Sequence, residues 1–168
     1  MTVLDTVIAR ILRREGGTFT DLDEDAGGPT RWGVTIPFYT DLTGHPKTRT
    51  DIQTLTETQA ASLYLTFLES SGLAAIGNVQ ILDAVADFAV LHGVFPAVKA
   101  LQKAIGVPVD GIVGPLTRHA LSTANPSRTA NIITAEQLRR IGARLSSDAS
   151  QRIFAKGWLN RIADRLEL

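Results

Sequence analysis

Cysteine is absent from the 168 residues. That excludes a disulfide framework and a thiol nucleophile, and it leaves the compartment open. An excess of one charge is absent too, since seventeen Lys and Arg stand against seventeen Asp and Glu. The basic surplus of a nucleic-acid-binding domain is therefore missing, and no nucleic-acid partner is expected. Internal repeats, low-complexity tracts and long linkers are also lacking, so residues 1–168 are expected to fold as one unit. The opening stretch, MTVLDTVIARILRREGG, has an acid at Asp5, no basic leader and no small-residue cleavage site. Neither a signal peptide nor membrane insertion is expected from it, and synthesis in the cytosol is.

The chain is long enough for a real core in one domain or in two lobes. Its charge is balanced overall but unevenly placed. The first 85 residues carry about minus five and the remainder about plus five. Acid gathers in one place, residues 15–35, EGGTFTDLDEDAGGPTRWGVT, where packing alone does not account for composition and spacing.

Upstream of that stretch Leu4, Val7, Ile8, Ile11 and Leu12 recur at helical spacing, the apolar stripe of an amphipathic helix. Glu15 is the next member of the stripe, so a helix reaching it aims the carboxylate along the buried face. Gly16 and Gly17 then stop the helix. Aliphatic neighbours and the negative end of the helix dipole both favour the protonated carboxyl. A protonated carboxyl is what glycoside hydrolysis needs as its general acid. The bland reading is a surface Glu at a frayed end, or one paired with Arg13 or Arg14.

Asp21, Asp23, Glu24 and Asp25 follow, then Gly27, Gly28, Thr30 and Gly33. A reversal at Gly27-Gly28 between the β-prone runs 18–20 and 32–35 predicts a small hairpin folded back over Glu15. In that geometry Asp25 faces Glu15 and a Thr hydroxyl holds a water between them. Asp21, Asp23 and Asp25 also fit the first ligands of a calcium loop. Ala26 and Trp32 stand where that loop needs Gly and a bidentate Glu, so neither metal nor cofactor is expected.

The run EGG, then DAGGPT, then RWGVT resembles the phage-type N-acetylmuramidases of glycoside hydrolase family 108, in the lysozyme-like superfamily, whose pattern is EGG followed by D-x-GG-x-T-x-x-GIT. The resemblance implies a mainly α (α+β lysozyme-like) fold, a helical bundle around a central buried helix with a small β-hairpin lobe over the cleft. It also implies Glu15 as the acid, Asp25 as the second carboxylate and Thr30 as the residue positioning the water. The acidic turn is about one residue longer than the pattern. Asp25 is the second carboxylate if the DxGGxT end fixes the alignment, and Asp23 or Glu24 if the EGG end does. Trp32 and Tyr64 are candidate sugar contacts, although a Tyr on an apolar stripe also serves as core.

Further along, Thr35 caps a helix from about Pro37, residues 45–54 read as a loop, and Thr56 with Gln59 forms a capping box for a helix carrying Leu63, Tyr64, Phe67 and Leu68. Residues 79–91 read as the central buried helix. The family pattern there is D-x-x-V-N-x-G, against DFAVLHG here, so Asp87 and Gly93 match and the Asn is replaced. His92 is a candidate substrate ligand or a structural helix-end His. The letters LQ, DG and GP-x-T between residues 95 and 121 resemble the peptidoglycan-binding region that accompanies these muramidases, and F-x-x-GWLNR resembles their close. Trp158, Leu159, Ile162 and Leu166 are expected to dock the last helix on the core.

The expected organisation is one lysozyme-like domain, with a catalytic lobe over 1–90 and a helical peptidoglycan-binding-like lobe over 91–168. The function implied is a lysozyme or endolysin cutting the β-1,4 bond between N-acetylmuramic acid and N-acetylglucosamine, with inversion. Alternatives are a lytic transglycosylase and a non-catalytic wall-binding virion protein. Peptidoglycan is the expected partner, a holin or virion the expected carrier to the wall, and a monomer the expected state.

Overall fold

The computed structural model describes residues 1–21 and 28–167. Asp23, Glu24 and Asp25 lie outside the described residues. The described chain is helical, apart from one two-stranded antiparallel sheet, and divides by internal contacts into units 1–71 and 72–168. Among the described residues no helix is long and apolar enough to cross a membrane.

In the first unit, helix α1 (Val3–Glu15) begins at a capping box in which Thr2 and Asp5 exchange side-chain and backbone hydrogen bonds. Its buried residues are Val7, Ile8, Ile11 and Leu12. They pack on helix α4 (Glu57–Ser70), which starts at the Thr56 and Gln59 capping box and buries Ala60, Leu63, Tyr64 and Leu68. Strands β1 (Thr30–Arg31) and β2 (Val34–Thr35) form the hairpin, with Thr30 opposite Thr35 and Arg31 opposite Val34. Helix α2 (Ile36–Thr43) follows directly, capped by the Thr35 side chain and ended by Gly44.

The expected reversal at Gly27-Gly28 falls partly outside the described residues, and the two-stranded hairpin turns at a second place. It reverses at Trp32 and Gly33, both at positive φ (56° and 71°), as a two-residue turn requires to match strand twist. Of residues 18–20 only Thr20 joins, as an isolated bridge to Thr30. The 45–54 segment is also not all loop. Thr48 and Asp51 form a capping box that opens a short helix α3 (Arg49–Gln53).

The second unit is built from helices α5 (Val79–His92), α6 (Val94–Ile105) and α8 (Pro126–Ser147), which pack pairwise. Every residue from Ile81 to Ala89 is buried, so α5 is the central helix, and contacts group it with α6 and α8. Gly93 alone separates it from α6. Helix α7 (Pro115–Leu121) packs on α6, and helix α9 (Ala155–Leu166) packs on α8.

Two buried polar networks tie this unit together. Gln102 on α6 donates through Nε2 to Asp110 (2.6 Å), the Ile112 carbonyl (3.0 Å) and Thr117 (3.2 Å), while its Oε1 accepts from the Gly111 N–H (2.8 Å). The letters LQ, DG and GP-x-T are thus the parts of one hydrogen-bonded loop. Asp87, fully buried on α5, accepts from Gln137 at 3.0 Å and from Arg161 at 2.7 Å, with Arg165 Nε at 3.8 Å. This corrects the expected docking of the last helix. Ile162 is buried, but Leu159 and Leu166 are 48% and 57% exposed, and the buried face carries Arg161 and Arg165 instead. An unpaired carboxylate at Asp87 would be costly, and two guanidiniums on one face of α9 offset it.

Candidate active site

Glu15 is the last residue of α1, and Gly16 turns the chain away at φ 71° while its N–H closes the helix on Leu12 at 2.9 Å. Gly33 and Tyr64 belong with Glu15 to the first unit. The turn of the hairpin lies against it. A Cβ added at Gly33 would fall 2.5 Å from Glu15 Cδ and 2.6 Å from the Tyr64 hydroxyl. Residue 33 must be glycine twice over, for its positive φ and because the carboxyl group occupies the space beside it.

One main-chain and one side-chain hydrogen bond fix that approach. Trp32 N–H donates to the Gly16 carbonyl (3.1 Å), and Arg31 Nε donates to the Gly17 carbonyl (2.9 Å). Gly17 is closed to a side chain for another reason, because a Cβ there would collide with the Trp32 indole. Tyr64 donates its hydroxyl to the Trp32 carbonyl at 2.9 Å. Thus the EGG and RWG letters describe two strips of backbone laid edge to edge, with the carboxyl group beside the seam.

Trp32 itself sits in the left-handed region, which is an outlier for a bulky residue and costs roughly 1–2 kcal/mol. The bonds to Gly16, Gly17 and Tyr64 keep it there. Its indole N–H is shielded from solvent and has no hydrogen-bond partner among the described residues.

Helix α3, missed in the sequence, anchors the hairpin from the other side. Arg31 Nη1 donates to the Gln53 carbonyl at 2.6 Å, and Arg49 pairs with Asp21, the first acid of the turn. The signal was present in Thr48-x-x-Asp51, a capping box shadowed by Pro46.

Of the expected residues, Glu15, Trp32 and Tyr64 are brought together. Tyr64 is 0% exposed, which replaces the expected sugar contact with a bracing role behind the turn. Thr30 lies in β1, its hydroxyl donating to the Gly28 carbonyl at 3.0 Å. That donation leaves the oxygen lone pairs free to accept a hydrogen bond. Asp25, with its alternatives Asp23 and Glu24, lies outside the described residues. His92 lies in the second unit, at the end of α5, with its ring edge-on to Phe88 at 5.3 Å. Burial first, and then Arg140 and Arg144, push its imidazole down to about 4.

The family described as glycosyl hydrolase 108 matches residues 8–93, and the region described as a predicted peptidoglycan domain matches residues 96–163. The solved structure of Brucella abortus SagA is similar, with a TM-score of 0.80 and 27% sequence identity over 96% of this chain and 90% of that one. No curated protein matches the chain. The architecture is the mainly α, lysozyme-like one with a small antiparallel sheet.

Proposed function

The chain belongs to the glycosyl hydrolase 108 family, joined to a peptidoglycan domain, and acts as a peptidoglycan hydrolase; from that premise we propose an N-acetylmuramidase that cuts the β-1,4 bond between N-acetylmuramic acid and N-acetylglucosamine. Glu15 is the general acid. The observation that carries this role is the seat built around it: a helix end, a turn glycine with no side chain, and a buried phenol holding that turn.

In the reaction Glu15 protonates the glycosidic oxygen as the bond to the anomeric carbon breaks. A water held by Thr30 attacks that carbon from the opposite face and gives its proton to the second carboxylate, Asp25. Oxygen leaves on one face and enters on the other, so the configuration inverts. The half-buried Trp32 ring beside Gly17 gives a sugar an apolar face to lie on. The enzyme works as a monomer and reaches the wall through a holin pore or with a virion.

Digestion of purified sacculi tests the reading. Mass spectrometry should find reducing N-acetylmuramic acid ends, and NMR of fresh product should find the α anomer first. A 1,6-anhydro product would reject hydrolysis in favour of transglycosylation. An initial β anomer would reject the Thr30-held water.

A further inference from the structure

The second unit holds an open surface pocket of about 560 Å³ lined by Leu91, His92, Arg140, Ala143, Arg144 and Ser147. Four of these, 140, 143, 144 and 147, share one face of α8 by their spacing. The end of α5 supplies the other wall. A volume of this size suits a small ligand or a short stretch of polymer.

Among the described residues neither of the pocket's arginines forms an ion pair. Arg139, one residue away, pairs with Glu136 at 2.7 Å, and Arg161 pairs with Asp87. Arg140 has no ion pair among the described residues. Arg144 donates to Gln151 at 3.0 Å and lies over the Trp158 ring at 5.3 Å. Asp148, whose carboxylate feels Arg144, is bound to the Ser150 hydroxyl and N–H. His92 registers the resulting field. Arg140, Arg144 and Arg161 oppose its protonation, Asp87 favours it, and the imidazole stays neutral. Two guanidiniums and an uncharged wall containing Leu91 and Ala143 fit an anionic group carried on a short aliphatic chain.

We infer that this pocket binds a carboxylate of the peptidoglycan stem peptide, held by Arg140 and Arg144 with the alanyl methyl against Leu91 and Ala143. The assignment rests on the peptidoglycan reading above and adds a contact that the glycan strand does not supply. It gives the protein a means of preferring peptide-bearing, uncrosslinked strands, whose terminal carboxylates are free.

NMR of the full chain tests it, following the His92 ring signals during titration with a synthetic stem tetrapeptide ending in D-alanine, its C-terminal amide, peptide-free chitotetraose and inorganic phosphate. The acid peptide should shift those signals and raise the His92 midpoint by about one unit, because a bound anion cancels part of the arginine field. The amide and Arg140→Gln should each bind about tenfold more weakly, and Arg140→Lys should recover part of the loss. Chitotetraose should leave His92 unmoved. Equal binding of acid and amide, undiminished binding by Arg140→Gln, phosphate binding as tight as the peptide's, or no shift at about 10 mM peptide would each overturn the inference. Sacculus digestion by the same wild-type sample separates the two readings. Digestion without a His92 shift removes this site alone, whereas a His92 shift without digestion removes the muramidase and leaves a wall binder.

Discussion

The Tyr64 hydroxyl donates to the Trp32 carbonyl oxygen at 2.9 Å, and that hydroxyl oxygen lies 2.6 Å from where a side chain on Gly33 would begin. A phenol from the core therefore sets how close the hairpin turn stands to Glu15. Tyr64→Phe keeps the packing and removes that tie. It should cost about 1–2 kcal/mol in urea unfolding and lower kcat by about tenfold with KM nearly unchanged, since the residue acts through the turn and does not touch sugar. A rise in KM with kcat intact would show that it contacts substrate after all.

Gly33→Ala asks more of the same seat. The new Cβ would meet Glu15 Cδ at 2.5 Å and force an alanine to φ 71°. A displacement of the acid by about 1 Å should cost on the order of a hundredfold in kcat/KM. The melting temperature should fall as well, because the left-handed conformation alone costs roughly 1–2 kcal/mol. Wild-type turnover by a folded Gly33→Ala protein would mean that the turn does not position Glu15.

The Asp87 and Arg161 pair makes a prediction about stability. Arg161→Met leaves a buried carboxylate with only part of its partners and should cost about 3–5 kcal/mol. Adding Asp87→Asn to it should recover much of the loss, which a double-mutant cycle in urea would measure. Strictly additive losses would mean that the two residues do not act as a pair.

The pH dependence follows from His92. Its imidazole is held at about 4 in the fold, below its ordinary value of 6.5. The unfolded chain therefore takes up this proton first as pH falls, and stability present above pH 6.5 is lost progressively toward pH 4. The carboxyls of Asp5, Asp51, Asp110 and Asp148, all held low by their hydrogen bonds, weaken the fold only below that window. Urea midpoints at pH 7 and pH 4.5 should differ less in His92→Gln than in wild type. Equal differences would mean that the ring is already free to protonate.

Glu15 at a helix end, the capping box of Thr56 and Gln59, and the buried run of α5 were all legible, because each rests on local periodicity or a short-range hydrogen bond. The hairpin was legible in existence but not in register. Gly27-Gly28 is a turn signal by propensity and falls partly outside the described residues, whereas the turn at Trp32-Gly33 depends on bonds to Gly16, Gly17 and Tyr64 that are distant in sequence. The same holds for Arg161 and Arg165. A basic residue on a terminal helix reads as solvated until the carboxylate that draws it inward, 74 residues away, is known. The LQ, DG and GP-x-T letters were recognisable as a pattern, but their physical content, four hydrogen bonds around Gln102, needed coordinates.

The central claim is that the carboxyl group of Glu15 gives up the proton that cleaves the glycan. Clearing of sacculi by Glu15→Gln, an isosteric change that keeps the fold and removes the acid, measures it most directly. Clearing should fall by about three orders of magnitude while the variant still sediments with sacculi as wild type does. Clearing at the wild-type rate would place the acid elsewhere and contradict the account.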